Sequence, residues 1–259
     1  MAFFVYTDNV KKGVVFMDQK KLREMIKEAK HIVFFGGAGV STGSGIPDFR
    51  GTGGLYTEAD TEDERPEEML SGDYLIRNPE KFYRYYKKNM LYPDAKPNGA
   101  HKALAKLERM GKLTAVITQN IDGLHQAAGS RNVIELHGSV LRNYCVSCFD
   151  EYPLSHVMNA EKVPVCERCG NLVRPDVVLY GEGLDGFSFS NAEREIERAD
   201  LLIVGGTSLT VYPATGLIHH FKGKNFVIIN RTPTPYDPYA NLIIREPIED
   251  VLSRAAEEL

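Results

Sequence analysis

Four cysteines are the strongest chemical signal in this sequence. Cys145 and Cys148 form one C-x2-C pair, and Cys166 and Cys169 form another. Each pair can present two thiolates from a tight turn, and two pairs complete a tetrahedral zinc site with four sulfur ligands. Because four protein ligands leave no position for water or substrate, the spacing predicts one structural Zn²⁺ that stabilises a segment poor in apolar residues.

A glycine-rich loop, Gly36 to Arg50, is the second signal. It follows an apolar run, and glycines in such a loop let successive backbone N–H groups bind a pyrophosphate. The dehydrogenase fingerprint G-x-G-x-x-G would need a third glycine where Thr42 stands. The loop therefore indicates a phosphate-bearing ligand but disfavours a hydride-transfer enzyme.

A serine hydrolase that uses Ser41 is the rival interpretation of the same loop. Gly39 to Gly43 has the form G-x-S-x-G, and Asp122 and His137 follow in the chain order of an α/β-hydrolase triad. The nucleophile of such enzymes sits on the sharp turn directly after a strand, whereas five residues separate Ser41 from Phe35. The hydrolase is therefore kept as an alternative and not as the main prediction.

The elements that must position these groups follow an α/β pattern. Helical patterns such as Ala100 to Met110 and Asn191 to Ala199 lie between short apolar runs. This alternation predicts a Rossmann-like parallel sheet with helices on both faces, which binds ligands beyond the carboxyl ends of its strands. The predicted strands are His31 to Phe35, Leu113 to Thr118, Leu201 to Val204 and Asn225 to Ile229.

Polar side chains stand at those strand ends. Thr118 to His125 offers two carboxamides and a carboxylate, which suit an amide-bearing ring and ribose hydroxyls. Gly205 to Ser208 and Asn230 end two further strands, where phosphate and ribose would need hydroxyl and amide groups. His137 ends a short β run beside Gly138, a position that is compatible with a structural or a catalytic role.

Taken together, these motifs resemble the sirtuin family of NAD-dependent protein lysine deacylases, and Thr42 and the segment Val177 to Glu182 look most like its bacterial and archaeal branch. The matching motifs, in family order, are Gly37-Ala38-Gly39-x-Ser41, Gly45-Ile46-Pro47-Asp48-Phe49-Arg50, Thr118-Gln119-Asn120-Ile121-Asp122, His137-Gly138, the two cysteine pairs and Gly206-Thr207-Ser208.

The resemblance also implies a division into domains. A Rossmann-like NAD-binding large domain would consist of residues 1–51, 98–138 and 173–259. A small domain would combine a cofactor loop and helical module, residues 52–97, with a zinc ribbon, residues 139–172. NAD and the acyl-lysine would meet in the cleft between the two domains.

The implied activity is NAD-dependent deacetylation of acetyl-lysine in proteins, which yields nicotinamide, 2'-O-acetyl-ADP-ribose and free lysine. By match to the motifs, His137 would be the general base, while Asn120 and Asp122 would hold the nicotinamide group as it leaves. The residues that would contact NAD are Ala38, Thr42, Phe49, Arg50, Gln119, Ile121, Asp122, His137, Thr207, Ser208, Asn230 and Ile248.

The resemblance further suggests how substrate is bound. In the desuccinylating branch of the family, a tyrosine and an arginine three positions later bind the acyl carboxylate, whereas Tyr83 is followed here by Tyr86. An uncharged acyl group is therefore expected. The acetylated protein or peptide would bind as an extended strand between Gly183 to Asp185 and Thr210 to Tyr212. The acidic segment Gly51 to Glu68 would form a lid that becomes ordered when NAD binds.

Composition excludes several other classes. The net charge is -4, from 31 Lys+Arg against 35 Asp+Glu, so nucleic acid is not the expected partner. Apolar stretches are too short to cross a bilayer, and four thiols without a secretion signal indicate a cytoplasmic protein that does not bind membranes. A protein ADP-ribosyltransferase and a zinc-dependent binding module remain as alternatives.

Overall fold

Strands and short helices alternate along the chain in the computed structural model, which describes residues 17–49, 51, 54, 65–257 and 259. The strands are β1 (Ile32–Gly36), β2 (Leu113–Thr118), β3 (Val133–Glu135), β4 (Gly138–Cys145), β5 (Glu151–Pro153), β6 (Val173–Val177), β7 (Leu201–Gly205), β8 (Asn225–Ile229) and β9 (Leu242–Ile244). The helices are α1 (residues 17–28), α2 (Pro66–Met69), α3 (Gly72–Arg77), α4 (Pro79–Met90), α5 (Gly99–Arg109), α6 (Leu124–Ala127), α7 (Leu154–Asn159), α8 (Gly186–Arg198) and α9 (Ile248–Glu257).

The larger sheet is parallel and has the strand order β3-β2-β1-β7-β8-β9. Gly36 at the end of β1 pairs with Thr118 of β2 and with Gly205 of β7. The carboxyl ends of these three strands therefore lie level with one another, and the loops that follow them leave from one edge of the sheet. The predicted Rossmann-like parallel sheet is confirmed.

Helices cover both faces of this sheet, as predicted. Ile32 and Phe34 of β1 share one apolar cluster with residues of α1, α5 and α9. Val33 and Phe35 alternate with them along the strand and belong to a second cluster with residues of α8. Because both faces of β1 are buried, the strand is apolar at each of these positions.

The predicted helices are present, although one begins earlier than expected. The helix α5 lies within one residue of the predicted Ala100 to Met110 at each end. The helix α8 begins at Gly186, whereas the sequence pattern placed its start at Asn191. The Asp185 carboxylate accepts a hydrogen bond from the N–H of Ser188 over 2.7 Å, and this cap starts the helix upstream of its apolar face.

A smaller antiparallel sheet has the order β5-β4-β6 and forms the core of the small domain together with α3 and α4. Gly138 of β4 pairs with Val177 of β6. The predicted domain boundary after residue 172 cuts through this sheet, because β6 pairs with β4 and not with the parallel sheet. Burial alternates along β6, where Val173, Pro175 and Val177 are buried, and this pattern is typical of an antiparallel strand with one solvated face.

The acidic segment Gly51 to Glu68 lies mostly outside the described residues, so its predicted role as a lid stays a prediction. Its last part is helical and not a loop, because α2 begins at Pro66 and continues through Glu67 and Glu68. Proline at the first position of a helix and acidic residues in its first turn both favour this start. Within the described part of the chain, the helices are all too short or too polar to cross a membrane.

Candidate active site

Loops from the carboxyl ends of β1, β2, β7 and β8 line one large cleft with a volume of about 1100 Å³. Side chains of the small domain complete its wall. Sheets of this type bind ligands at this edge. Arg50 lies outside the described residues. The other predicted catalytic and NAD-binding residues line the cleft: Ala38, Thr42, Phe49, Gln119, Asn120, Ile121, Asp122, His137, Thr207, Ser208, Asn230 and Ile248.

Ser41 joins the glycine-rich loop to the loop after β2. Its hydroxyl donates to Asp122 Oδ2 over 2.6 Å and accepts from Asn120 Nδ2 at 3.0 Å. The other Asp122 oxygen accepts from the backbone N–H of Leu124, the first residue of α6, at 2.9 Å. Ser41 is 1% exposed and Asn120 is 9% exposed, so their side chains are shielded from water. The network fixes the orientation of the Asn120 and Asp122 side chains.

The same bonds argue against a serine hydrolase. A nucleophilic serine needs a histidine within hydrogen-bond reach, but the hydroxyl of Ser41 is bonded to Asp122 and Asn120. Within the described residues, no histidine shares a hydrogen bond with it. The backbone of Ser41, with φ -98° and ψ -1°, also lacks the strain of a nucleophile elbow. The predicted hydrolase triad is therefore not assembled.

His137 has the geometry of a general base. Its Nδ1 lies 2.9 Å from the carbonyl oxygen of Gln119. Since a carbonyl oxygen only accepts, Nδ1 carries the proton, and Nε2 of the neutral ring is an acceptor. Burial lowers the pKa of His137 below its ordinary value, although the bond to Gln119 opposes the shift. A neutral imidazole in the cleft can take a proton near pH 7.

The side chain of Gln119 is held in one orientation by Thr207. The Thr207 hydroxyl donates to Gln119 Oε1 over 2.9 Å. Gln119 Nε2 is buried and has no hydrogen-bond partner among the described residues. Gln119 lines the cleft, and its amide group keeps one unpaired donor. The sequence assigned both residues to NAD separately, and their contact is visible only in the structure.

Two loops approach each other closely at Gly39 and Gly206. The N–H of Gly39 donates to the carbonyl of Gly206 over 2.8 Å, and a Cβ atom at Gly39 would lie only 2.8 Å from the Cα of Gly206. Asn98 holds the first loop from the other side, because its Nδ2 donates to the Val40 carbonyl at 2.8 Å and to Ser44 Oγ at 3.0 Å. Sequence reasoning missed Asn98, although an asparagine before an apolar helix is an N-cap signal.

Three other residues that were predicted to contact NAD form hydrogen bonds or packing contacts within the protein. Asn230 Nδ2 donates to the carbonyl of Thr232 over 2.9 Å, and the Ser208 hydroxyl lies 2.8 Å from that of Thr210. Ile248 begins α9, is only 4% exposed and packs in the core on one face of the parallel sheet. The roles of these three residues toward NAD stay predictions.

A buried pair of histidines was not predicted. His101 of α5 and His125 of α6 are 0% and 1% exposed, and their ring centroids lie 4.7 Å apart. Burial lowers the pKa of His101 to about 4, against the opposing charge of Asp122, and that of His125 to about 3. Both rings are therefore neutral near pH 7. Neither histidine lines the cleft, although His125 follows Asp122, which does line it, by three positions.

The four cysteines form one cluster, as the sequence predicts. The sulfur atoms of Cys145 and Cys169 lie 3.4 Å apart, and Cys148 lies 3.5 Å from both Cys166 and Cys169. These distances exclude disulfides, and all four ligand atoms lie within 4.8 Å of one another. Tetrahedral zinc with Zn–S bonds of about 2.3 Å needs sulfur atoms roughly 3.8 Å apart. The cluster fits a structural zinc site.

Two similar turns present the thiolates. The N–H of Phe149 donates to the carbonyl of Cys145 over 3.1 Å, and the N–H of Gly170 donates to that of Cys166 over 2.8 Å. Both turns end in the left-handed region, with φ 61° at Phe149 and φ 71° at Gly170. Tyr152 adds a hydroxyl that donates to Cys166 Sγ over 3.2 Å. Such a donor reduces the negative charge that four thiolates place on one metal.

Comparisons with known proteins agree with this geometry. The Sir2 family model matches residues 37–213. The NAD-dependent protein deacetylase of Clostridium perfringens is 54% identical over 244 residues, which cover 93% of this chain and 100% of that protein. The NAD-dependent protein deacetylase of Cutibacterium acnes is 52% identical over 240 residues, which cover 92% of this chain and 97% of that protein.

Solved structures point to the same family. A Sir2 homologue in complex with NAD has a TM-score of 0.83 and 41% identity, over 92% of this chain and 93% of that one. A Sir2 enzyme with a deacetylated p53 peptide and 3'-O-acetyl ADP-ribose has a TM-score of 0.85 and 40% identity, over 93% and 98% of the two chains. The resemblance predicted from the motifs is confirmed, and the chain belongs to the Sir2 family.

Proposed function

We propose that this protein deacetylates acetyl-lysine in proteins with NAD as the co-substrate, and that the products are nicotinamide, 2'-O-acetyl-ADP-ribose and free lysine. The neutral ring of His137, in one cleft with Asn120 and Asp122, carries the proposal. Relatives named NAD-dependent protein deacetylases support it, as do Sir2 structures that hold NAD or acetyl ADP-ribose.

Several features of the cleft fit NAD. Gly39 and Gly206 let two loops of the cleft approach each other closely, and backbone N–H groups of such glycine-containing loops can bind a pyrophosphate. The unpartnered Nε2 of Gln119 is a buried donor for a ribose hydroxyl. When bound, NAD supplies a ribose carbon that is attacked as nicotinamide leaves, and a ribose hydroxyl that accepts the acetyl group.

His137 moves the proton in this proposal. Its bond to the Gln119 carbonyl orients the ring so that Nε2 faces a ligand hydroxyl as the acceptor. The lowered pKa keeps the base unprotonated at neutral pH. Asn120 and Asp122 bind the carboxamide of nicotinamide, and the buried hydroxyl of Ser41 holds both side chains in place.

The substrate peptide is proposed to bind as an extended strand between Gly183 to Asp185 and Thr210 to Tyr212. Leu184 and Tyr212 line the cleft, and both segments lie outside the helices and sheets. Their backbone groups can therefore pair with a peptide main chain, which gives recognition that depends little on sequence. A Sir2 structure with a p53 peptide and NAD supports peptide binding in this family.

The division of labour between domains is also proposed. The large domain binds NAD, while residues 52–97 and the antiparallel sheet with its zinc close the cleft from the other side. Zinc acts on structure and not on chemistry, because four thiolates complete its coordination. The cytoplasmic location and the absence of a nucleic-acid partner stay predictions from the sequence.

One experiment separates this function from its alternatives. The purified protein is incubated with an acetylated peptide, with and without NAD, and the products are identified by mass spectrometry. Loss of the acetyl group together with acetyl-ADP-ribose, only when NAD is present, supports the deacetylase. ADP-ribose attached to protein while the peptide keeps its acetyl group would indicate a transferase, and no consumption of NAD would indicate a binding module.

A further inference from the structure

Two tyrosines of α4 have similar surroundings but differ at their hydroxyl groups. Tyr83 is 0% exposed and Tyr86 is 1% exposed, and their rings meet edge to face with centroids 6.2 Å apart. The Tyr83 hydroxyl donates to the carbonyl of Val173. The Tyr86 hydroxyl is buried without a hydrogen-bond partner among the described residues. Buried hydroxyls are usually paired, so an unpaired one needs an explanation.

The Tyr86 side chain lines the cleft, where its neighbours are apolar. Leu70, Val140, Val177 and Leu179 line the same cleft and belong to the same buried cluster as Tyr86. We call these five residues the apolar arm of the cleft. The Tyr86 hydroxyl is the one polar side-chain group of the arm, and the arm contains no cation.

The apolar arm lies next to the histidine of the site. The N–H of Val178 donates to the carbonyl of His137 over 3.0 Å, so Val177 and Leu179 flank the backbone of that residue. Val140 follows His137 by three positions and is 4% exposed. A lysine-bound acyl group that reaches His137 therefore extends toward these side chains.

The ring of Tyr86 is held in place for contact with such a group. Phe82 stacks on it with ring centroids 5.5 Å apart and planes 15° from parallel. Burial raises the pKa of Tyr86 far above its usual value, so the phenol stays neutral. A neutral phenol both donates and accepts one hydrogen bond.

We propose that the Tyr86 hydroxyl selects acyl-lysines whose acyl chain carries an uncharged hydrogen-bonding oxygen, such as 3-hydroxybutyryl-lysine. The inference rests on the proposed function and names its preferred substrate class. An acetyl or butyryl chain has no oxygen beyond the acyl carbonyl and leaves the Tyr86 hydroxyl unpaired. A succinyl carboxylate would lose its hydration on an arm without a cation, so its removal is slower than that of acetyl.

The test uses one peptide that carries either butyryl-lysine or 3-hydroxybutyryl-lysine, because these groups differ by a single hydroxyl. kcat/KM is measured with NAD for the natural chain and for Tyr86→Phe. The ratio of 3-hydroxybutyryl to butyryl turnover falls about fivefold in the variant, which corresponds to one neutral hydrogen bond. Equal ratios in the two proteins would overturn the proposal.

Tyr83→Phe is the matched control, since it removes a hydroxyl from the same buried face of α4. That hydroxyl is bonded to Val173, so the control lowers the Tm and leaves the acyl ratio unchanged. Tyr86→Phe breaks no bond within the described residues, so its Tm does not fall. A fivefold fall of the ratio in both variants would assign the effect to packing and overturn the role of Tyr86.

The acetylated version of the peptide distinguishes failure of this inference from failure of the proposed function. If the protein removes no acetyl group with NAD, the proposed function is wrong. The acyl preference is then decided by the Kd values of the butyryl and 3-hydroxybutyryl peptides, measured by calorimetry. A Kd ratio that Tyr86→Phe does not change would overturn the inference on its own.

Discussion

The parallel sheet and the zinc end of the antiparallel sheet obtain their rigidity by different means. In the parallel sheet, Ile32 to Phe35 are 0% exposed and pack on both faces. At the zinc end of the antiparallel sheet, away from the apolar cluster with α3 and α4, the buried cluster consists of Cys145, Cys166 and Val173. An apolar core therefore holds the parallel sheet, whereas metal ligands hold the zinc end of the antiparallel sheet. At this end of the sheet, zinc takes the place of an apolar core in a segment too small to build one.

The largest expected effect is loss of a zinc ligand. Cys166→Ala leaves three thiolates, and structural zinc contributes on the order of 10 kcal/mol to folding in zinc-finger peptides. Amide exchange should rise across β4, β5 and β6, while β1 and β7 stay protected. Hydrogen-exchange mass spectrometry and zinc content check this. Val165→Ala is the control, since it changes an exposed neighbour that is not a ligand. Equal loss of protection in both sheets would contradict the comparison.

Removal of the proposed base should act mainly on the chemical step. His137→Ala is expected to lower kcat/KM on acetylated peptide by about 10² to 10⁴, which is the usual contribution of a general base. NAD should still bind, because most of the predicted contacts remain, and zinc content should not change, because the four thiolates are untouched. His31→Ala, at an exposed histidine outside the cleft, should behave like the natural chain. Undiminished turnover in His137→Ala would refute the assignment.

Acid should destabilise the large domain through its buried histidines. The pKa is about 4 for His101 and about 3 for His125 in the folded chain, against 6.5 when unfolded. Between these values the unfolded state binds more protons, so the free energy of unfolding rises with pH up to about 6.5 and then levels off. His125→Phe keeps an aromatic ring but does not titrate. Between about pH 4.5 and 6, the free energy of unfolding of this variant should rise less steeply with pH than that of the natural chain, by about 1.4 kcal/mol per pH unit.

Denaturant unfolding at several pH values measures this slope. Above about pH 7, the slopes of the natural chain and the variant should agree, because neither buried histidine is protonated there in either state. An unchanged slope below pH 6 would show that these two rings do not account for the acid sensitivity of the large domain.

The smallest expected effect concerns one turn of the zinc site. Gly170 has φ 71°, and nothing lies within 4 Å of an added Cβ, so Gly170→Ala costs only backbone strain. This cost is roughly 1–2 kcal/mol, and we expect a modest loss of zinc affinity in a chelator competition. Gly216→Ala, which also has open space but no positive φ, is the matched control. Identical zinc affinity in both variants would show that the turn accepts alanine as well as glycine at position 170.

Local patterns in the sequence determined the zinc ligands and the main strands. Two C-x2-C pairs specify a metal site because each pair folds into its own turn, whatever the surrounding topology. The strands β1, β2, β7 and β8 were predicted to within one residue at either end, because strands buried on both faces are continuous apolar runs that stop at glycine or polar residues. Family motifs then identified the residues that line the cleft.

Only the tertiary structure decided which of these residues touch. Ser41 and Asp122 are 81 positions apart, and Gln119 and Thr207 are 88 apart, yet each pair shares a hydrogen bond. The membership of β6 in the antiparallel sheet and the unpaired hydroxyl of Tyr86 were equally invisible in the sequence. Such contacts depend on the order in which strands and helices pack, and a pattern within one segment carries no information about its distant neighbours.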